Sequence, residues 1–344
     1  MRRLSRSPEK FEVLDLFTSL GRTHGFTIRG NDGHGEFFRT IERSFNASIG
    51  NPILLHGRRI QSMFSFVAAS LGRARLIKEE DAGEIFAADP SLRVPDFHIV
   101  LHDGSSFLVE VKNYRRDLLK PLILKRPYLE ALKCYSRFVG RPLRLAIYWS
   151  LANIWTLISL PHLPRHDGHG RIDFAKAMKI NEMADLGDMQ VAATPPLVLR
   201  ALTDPTQPRE LDDRGYVSFT IGRIEFYCGR VRIDSKDEQD LAFYFMLYGN
   251  WTGGEPEAHV ENGSLIHIDF EVHHPGPARG QEFEMLGYLS GMISRRFNDL
   301  TAPEGKIERL VPASDPGSLG VVIPTDYKGK FLRLWRFIQR PNYK

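Results

Sequence analysis

Residues 93–113 read RVPDFHIVLHDGSSFLVEVKN, two runs with a period of two that carry carboxylates and a lysine among strand-forming side chains. In the first run Phe97, Ile99 and Leu101 share one face, and Asp96, His98 and Val100 the other. In the second, Phe107, Val109 and Val111 share a face opposite Leu108, Glu110 and Lys112. A hairpin that aligns the two apolar faces must pair odd positions with odd, because a slip of one residue reverses every side chain. The connection then has an odd number of residues. His102-Asp103-Gly104 fits a three-residue loop with glycine in its left-handed last position.

That register predicts Asp96 directly across from Glu110, with Lys112 on the same face. Opposed Cβ atoms lie only about 5 Å apart, and two carboxylates at that separation repel unless a cation stands between them. Lys112 brings one positive charge. A divalent, oxygen-seeking cation such as Mg²⁺ (or Mn²⁺) brings two and needs few carboxylates beside substrate oxygens. Such a site suits hydrolysis at phosphorus. The metal polarises the phosphate and activates a water, while the lysine orients that water or stabilises developing charge. The competing reading is an ordinary hairpin whose wet face happens to carry Asp, Glu and Lys.

The surrounding chain looks globular, with 42% hydrophobic and 26% charged residues. Its 344 residues suffice for one large domain or two ordinary ones. A net charge of +4 permits a polyanionic partner without requiring one. Cys134 and Cys228 are too few for a disulfide framework or a thiolate metal site, and are read as packing residues in a reducing compartment. The start, MRRLSRSPEKFEVLDLF, lacks the sustained apolar region of a secretion signal. The uncharged stretch LAIYWSLANIWTLISL (145–160) is shorter than the roughly 18 residues of a membrane span, and its SLAN centre suggests two buried strands joined tightly. A cytoplasmic protein with no membrane segment is expected.

Around the hairpin the elements follow a definite order. HGRRIQSMFSFVAASLG (56–72) spaces Ile60, Met63, Phe64, Val67 and Leu71 as a helix face and closes on glycine. ARLIKEEDAGEIFAADP then reads as a strand, a turn at Asp81-Ala82-Gly83 and a short return. After the hairpin, KRPYLEALKCYSRFVGRP opens near Pro127 and stops at Gly140 as a helix should. LRLAIYWS and IWTLISL supply two further strands. FAKAMKINEMADLGDM and EFEMLGYLSGMISRRF both read as helices, and residues 215–234 and 264–272 as strands. The expected division is a helical extension over 1–55, an α/β core over 56–174, and an α+β module over 175–344.

Pro95-Asp96 followed on the next strand by Glu110-Val111-Lys112, in this order of elements, resembles the PD-(D/E)XK nuclease superfamily, which includes many restriction endonucleases and Holliday-junction resolvases. The resemblance covers roughly residues 56–160. It implies a restriction-endonuclease-like core, a mixed central sheet flanked by helices, with a C-terminal α+β module attached. It implies Asp96 and Glu110 as metal ligands and Lys112 as the water-positioning or charge-stabilising group. Many members add a glutamate from the first helix; here Gln61 stands near that place, and Glu79, Glu80 or Asp81 are alternative contributors.

Basic residues follow the motif. Arg115, Arg116, Lys120, Lys125 and Arg126, joined by Lys133 and Arg137, face only Asp117 and Glu130 in the same stretch, and Arg58 and Arg59 add to them from the first helix. Such a cluster suits backbone phosphates. His162, His166 and His169 have metal-ligand spacing but sit in a Gly/Pro loop, and Trp251 is read as a packing residue before a base-stacking one. The resemblance implies a Mg²⁺- or Mn²⁺-dependent endonuclease acting on DNA, double-stranded DNA before other forms, in restriction or defence ahead of DNA repair. A homodimer is expected because two sites cut both strands of a duplex. The alternatives are a nuclease of the same superfamily directed at junctions or RNA, and a non-catalytic nucleic-acid-binding module.

Overall fold

Two helices, α1 (Glu12–His24) and α2 (Gly33–Ile49), lead into a third, α3 (Pro52–Ser70). The computed structural model describes every residue except 5–8, 10–11, 26, 30–32, 82–84, 90 and 277–279. Helix α3 starts four residues ahead of the expected His56. The Asn51 side chain accepts the Leu54 N–H at 3.1 Å, and Pro52 sits where no N–H partner is needed. The expected boundary at residue 55 therefore falls inside a helix.

Next come β1 (Ala74–Glu79), β2 (Phe97–Leu101), β3 (Ser106–Tyr114), the short β4 (Leu122–Leu124), α4 (Arg126–Val139), β5 (Leu143–Trp149) and β6 (Ile154–Ser159). Ala82 and Gly83 of the expected turn after β1 lie outside the described residues. The central sheet runs β1-β2-β3-β5-β6, antiparallel except for the parallel pair β3/β5, which α4 connects. This is the mixed sheet flanked by helices that the sequence predicts, an α/β architecture in the expected element order. Gly140 ends α4 in the left-handed conformation, at φ +66°.

The hairpin adopts the predicted register. Phe97 pairs with Val109 and Ile99 with Phe107, leaving His102-Asp103-Gly104 as the loop with Gly104 at φ +84°. The alternation does not leave a wet face, however. Phe97, Ile99, Phe107 and Val109 pack with Met63, Phe64 and Val67 of α3, while Leu108 packs with Leu129 and Leu132 of α4. Each large apolar side chain so covered contributes roughly 1.5–3 kcal/mol. Burial on both faces is why β5, LRLAIYW, reads as a nearly continuous apolar run.

The rest of the chain forms β7 (Arg165–His166), β8 (His169–Ile172), α5 (Phe174–Lys179), β9 (Gln190–Ala193), β10 (Leu197–Thr203), β11 (Ile221–Cys228), β12 (Val231–Ile233), α6 (Lys236–Tyr248), β13 (Thr252–Gly253), β14 (Glu257–Glu261), β15 (Ser264–His273), β16 (Glu284–Tyr288), α7 (Leu289–Thr301) and β17 (Leu334–Phe337). A sheet ordered β12-β11-β10-β15-β13 and a small one ordered β16-β9-β17 hold most of these strands. Two predicted helices come out shorter. Helix α5 ends at Lys179 because the buried Asn181 side chain accepts the N–H groups of Leu157 and Met183. EFEMLGYLSGMISRRF begins as β16, and its Gly287, at φ +116°, is outside any helical conformation.

Helix α7 lies beside α3. Trp155 donates to Ser294 at 2.9 Å, and Arg59 donates to Asn298 and Thr301 at 2.8 and 3.0 Å. One hydrophobic cluster consequently runs from Ile60 to Leu332 across the expected boundary at residues 174/175. Cys228 is buried in it and Cys134 is half-buried; neither forms a disulfide. No helix among the described residues is long and apolar enough to cross a membrane.

Candidate active site

Strand β3 has nine residues and β2 only five, so the C-terminal half of β3 runs past its neighbour. Pairing stops at Phe97–Val109, just after Pro95, which has no N–H to continue a ladder. Asp96 therefore stands one step beyond the last paired residue rather than within the ladder. Its Oδ2 accepts the Val111 N–H at 2.6 Å, replacing the missing strand partner, and its Oδ1 accepts the Gln61 side-chain amide of α3 at 2.6 Å.

Glu110 and Lys112 alternate with Val111 and so leave β3 on the α4 side. Their neighbours on β5 are Leu145 and Ile147, a hydrocarbon floor. The Lys112 ammonium donates to Glu110 Oε1 at 2.6 Å. The Tyr128 hydroxyl, from the first turn of α4, bonds to both: it donates to Glu110 Oε1 and accepts from Lys112 Nζ. The Arg93 guanidinium lies 4.7 Å from the centre of the Tyr128 ring, and Lys112 Nζ lies 4.6 Å from it.

Burial decides against the solvated hairpin. Asp96 is 7% and Glu110 3% exposed, and ionised groups withdrawn from water to that degree cost several kcal/mol each unless compensated. Burial first, and the Glu110 charge second, push the Asp96 carboxyl up to about 7; the Val111 N–H and Lys112 pull it back. One ammonium thus faces two carboxylates. Burial and then Glu110 also raise the Tyr128 hydroxyl, which stays a neutral donor. Among the described residues no three His, Cys, Asp or Glu side chains converge on one point. The donors present, two carboxylates and the Gln61 amide, fit a hard cation that retains waters and takes substrate oxygens, not a thiolate or imidazole metal.

A cleft of about 360 Å³ opens beside these groups, lined by His56, Gln61, Lys112, Asn113 and Arg115 among others. Lys112 retains a quarter of its side-chain exposure. Burial, then Arg115, lowers the His56 pKa, so the imidazole at the cleft wall is neutral at physiological pH.

The basic residues divide. Arg115, Arg116, Lys120, Lys125 and Arg126 are exposed, and among the described residues no carboxylate lies within ion-pairing distance of them. Arg58 is half exposed and pairs with Glu79 at 3.4 Å, beside Gln61. Arg59 is a correction: it is buried and bonded to α7, so it packs the core instead of facing a ligand. Of the alternative acids, Glu79 pairs with Arg58, Glu80 accepts from Tyr135 at 2.6 Å, and Asp81 acts on Asp96 only through its field.

His166 and His169 pair across β7 and β8, but among the described residues the three histidines form no metal-holding group. His162 stacks on Tyr343, His166 pairs with Asp167, and His169 Nδ1 accepts the Arg126 N–H. Trp251 is buried and donates to the Met285 carbonyl at 3.1 Å, as a packing residue does. Tyr128 and Arg93 were invisible to spacing. The available signal was topological: the first turn of a helix linking parallel strands returns over the C-terminal end of the first strand, where ligands of such sheets bind.

No family model matches this chain, and no curated protein does. Among solved structures, the Holliday junction resolvase Hjc of Archaeoglobus fulgidus is similar over 26% of this chain and 75% of its own, at 23% identity and a TM-score of 0.22. A likeness of that size carries no functional weight.

Proposed function

We propose that this chain is a divalent-metal-dependent nuclease of the PD-(D/E)XK type that hydrolyses phosphodiester bonds of DNA. The observation that carries the reading is the buried pair Asp96 and Glu110 at the open end of β3, with Lys112 as their one ammonium beside a cleft. Bound Mg²⁺ or Mn²⁺ would supply Lewis-acid polarisation of the phosphate and an activated water. Asp96 and Glu110 would hold the ion, with Gln61 fixing the Asp96 carboxylate. Lys112 donates to one Glu110 oxygen and to Tyr128, which leaves its third N–H for water or a phosphate oxygen. Arg115, Arg116, Lys120, Lys125 and Arg126 would hold the backbone on either side, giving affinity that falls steeply with salt.

Double-stranded DNA is the preferred substrate in this reading, and a homodimer would cut both strands with one site per chain. The role is restriction or defence within the cytoplasm. A second reading, a binding module without chemistry, has one observation in its favour: Gln61 stands where a third carboxylate would strengthen cation binding.

The test is cleavage of duplex, four-way junction and RNA at equal salt, with Mg²⁺, Mn²⁺ or EDTA. Lys112→Ala should abolish metal-dependent cleavage and leave nucleic-acid binding largely intact. Wild-type protein that cuts none of the three with either metal would establish the binding module instead.

A further inference from the structure

Tyr128 presents two chemically separate parts to the site. Its hydroxyl joins Glu110 Oε1 and Lys112 Nζ in one closed set of hydrogen bonds. Its ring lies under the exposed Arg93 guanidinium at 4.7 Å. Arg93 is tethered at its backbone, where its N–H donates to the Ala131 carbonyl of α4 at 3.1 Å. Among the described residues no carboxylate lies within ion-pairing distance of its guanidinium. A guanidinium stacked on an aromatic face, with no carboxylate partner, keeps its N–H donors available for an anion. Arginine's planar fork matches two phosphate oxygens, and stacking lowers the entropy it loses on binding them.

We infer that Arg93 is a phosphate-binding residue of the active site and that Tyr128 is its positioning partner, the ring holding Arg93 and the hydroxyl holding Lys112 and Glu110. This rests on the nuclease reading and adds two residues to it. The anion is a phosphodiester of the nucleic-acid strand bound at the active site. The hydroxyl engages one Lys112 proton and Glu110 Oε1 a second, so the remaining one has a single direction. Removing the hydroxyl lets the ammonium rotate. Removing the ring frees Arg93.

The two parts separate in a comparison of Tyr128→Phe, Tyr128→Leu, Arg93→Ala and Arg93→Lys with wild-type protein. The measurements are turnover with Mn²⁺ at saturating duplex, and duplex affinity across a salt series with the metal withheld. Tyr128→Phe keeps the ring: turnover falls about tenfold while affinity and its salt slope stay at wild-type values. Arg93→Ala weakens affinity several-fold and reduces the slope of log affinity against log salt by about 0.9, the signature of one lost phosphate contact. Arg93→Lys restores the slope but not the full affinity, because an ammonium cannot grip two oxygens. Tyr128→Leu shows both defects.

A Tyr128→Phe protein with wild-type turnover overturns the positioning role. An unchanged salt slope in Arg93→Ala overturns the phosphate contact. A loss in Tyr128→Phe that follows the melted fraction and disappears on cooling also counts against it, since that is a stability defect. If wild-type protein binds duplex but never cuts, the nuclease reading falls with the hydroxyl's role, and the Arg93 arm is still decided by the salt slope.

Discussion

Gln61 donates its side-chain amide to Asp96 at 2.6 Å, joining helix α3 to the residue that precedes β2. The contact makes a neutral group the third neighbour of a crowded acidic pair, and its replacement reports directly on that crowding. Gln61→Glu puts a further carboxylate against Asp96. Without metal the variant should melt several degrees lower, through like-charge repulsion; with Mn²⁺ it should bind the cation about tenfold more tightly. Calorimetric titration and melting in the same buffer check both signs, and tighter binding without the metal-free loss would contradict the geometry.

Removing charge at Asp96 should act in the opposite direction. Asp96→Asn keeps an acceptor for the Val111 N–H and abolishes a buried carboxylate that Glu110 repels. At pH 8 in EDTA the variant should be more stable than wild type. Millimolar Mg²⁺ or Mn²⁺ should then stabilise wild type, in proportion to the logarithm of free ion above its Kd, and leave the variant unmoved. Equal metal-induced shifts in both proteins would place the ion elsewhere.

Arg59 and Arg115 carry the same charge in different roles. Arg59→Ala strands the polar groups of Asn298 and Thr301 and opens space between α3 and α7, at a cost of about 2–3 kcal/mol. Its nucleic-acid affinity should match wild type wherever it remains folded. Arg115→Ala with Arg116→Ala should leave the urea midpoint within error and flatten the salt dependence of binding. Unfolding and binding measured on both proteins would expose any exchange of these outcomes.

Asp188 predicts a pH dependence independent of the active site. The fully buried carboxylate accepts the Ser290 and Met189 N–H groups and the Ser290 hydroxyl, and burial pushes it up to about 6. A carboxyl whose folded pKa lies above its unfolded one binds more protons in the native state. Its contribution is fully present below about pH 4 and is lost as pH rises through about 6, to a total on the order of 2–3 kcal/mol. Asp188→Asn cannot titrate. Denaturant unfolding should show wild type losing ground to the variant between pH 4 and pH 7, and a constant difference across that range would refute the assignment.

The hairpin register was legible because a period of two is local: Phe97, Ile99, Phe107 and Val109 align only one way, and Gly104 marks where the chain must turn. Pro127 and Gly140 likewise announced both ends of α4 through their own backbone limits. From that register Asp96, Glu110 and Lys112 were expected near one another, and Asn51-Pro52 held the helix start that apolar spacing placed too late. The identities of the groups behind these residues were not legible. Whether Arg59 meets water or α7, whether the second face of β3 is wet or covered, and which helix side chain closes over Glu110 all depend on contacts between segments far apart in the chain. Tyr128 and Arg93 take their places only when α4 lies across β3. Sequence spacing sets which side chains share a face of one element; the packing of elements against each other decides what that face meets, because burial and charge pairing are properties of the assembled neighbourhood rather than of any single strand or helix.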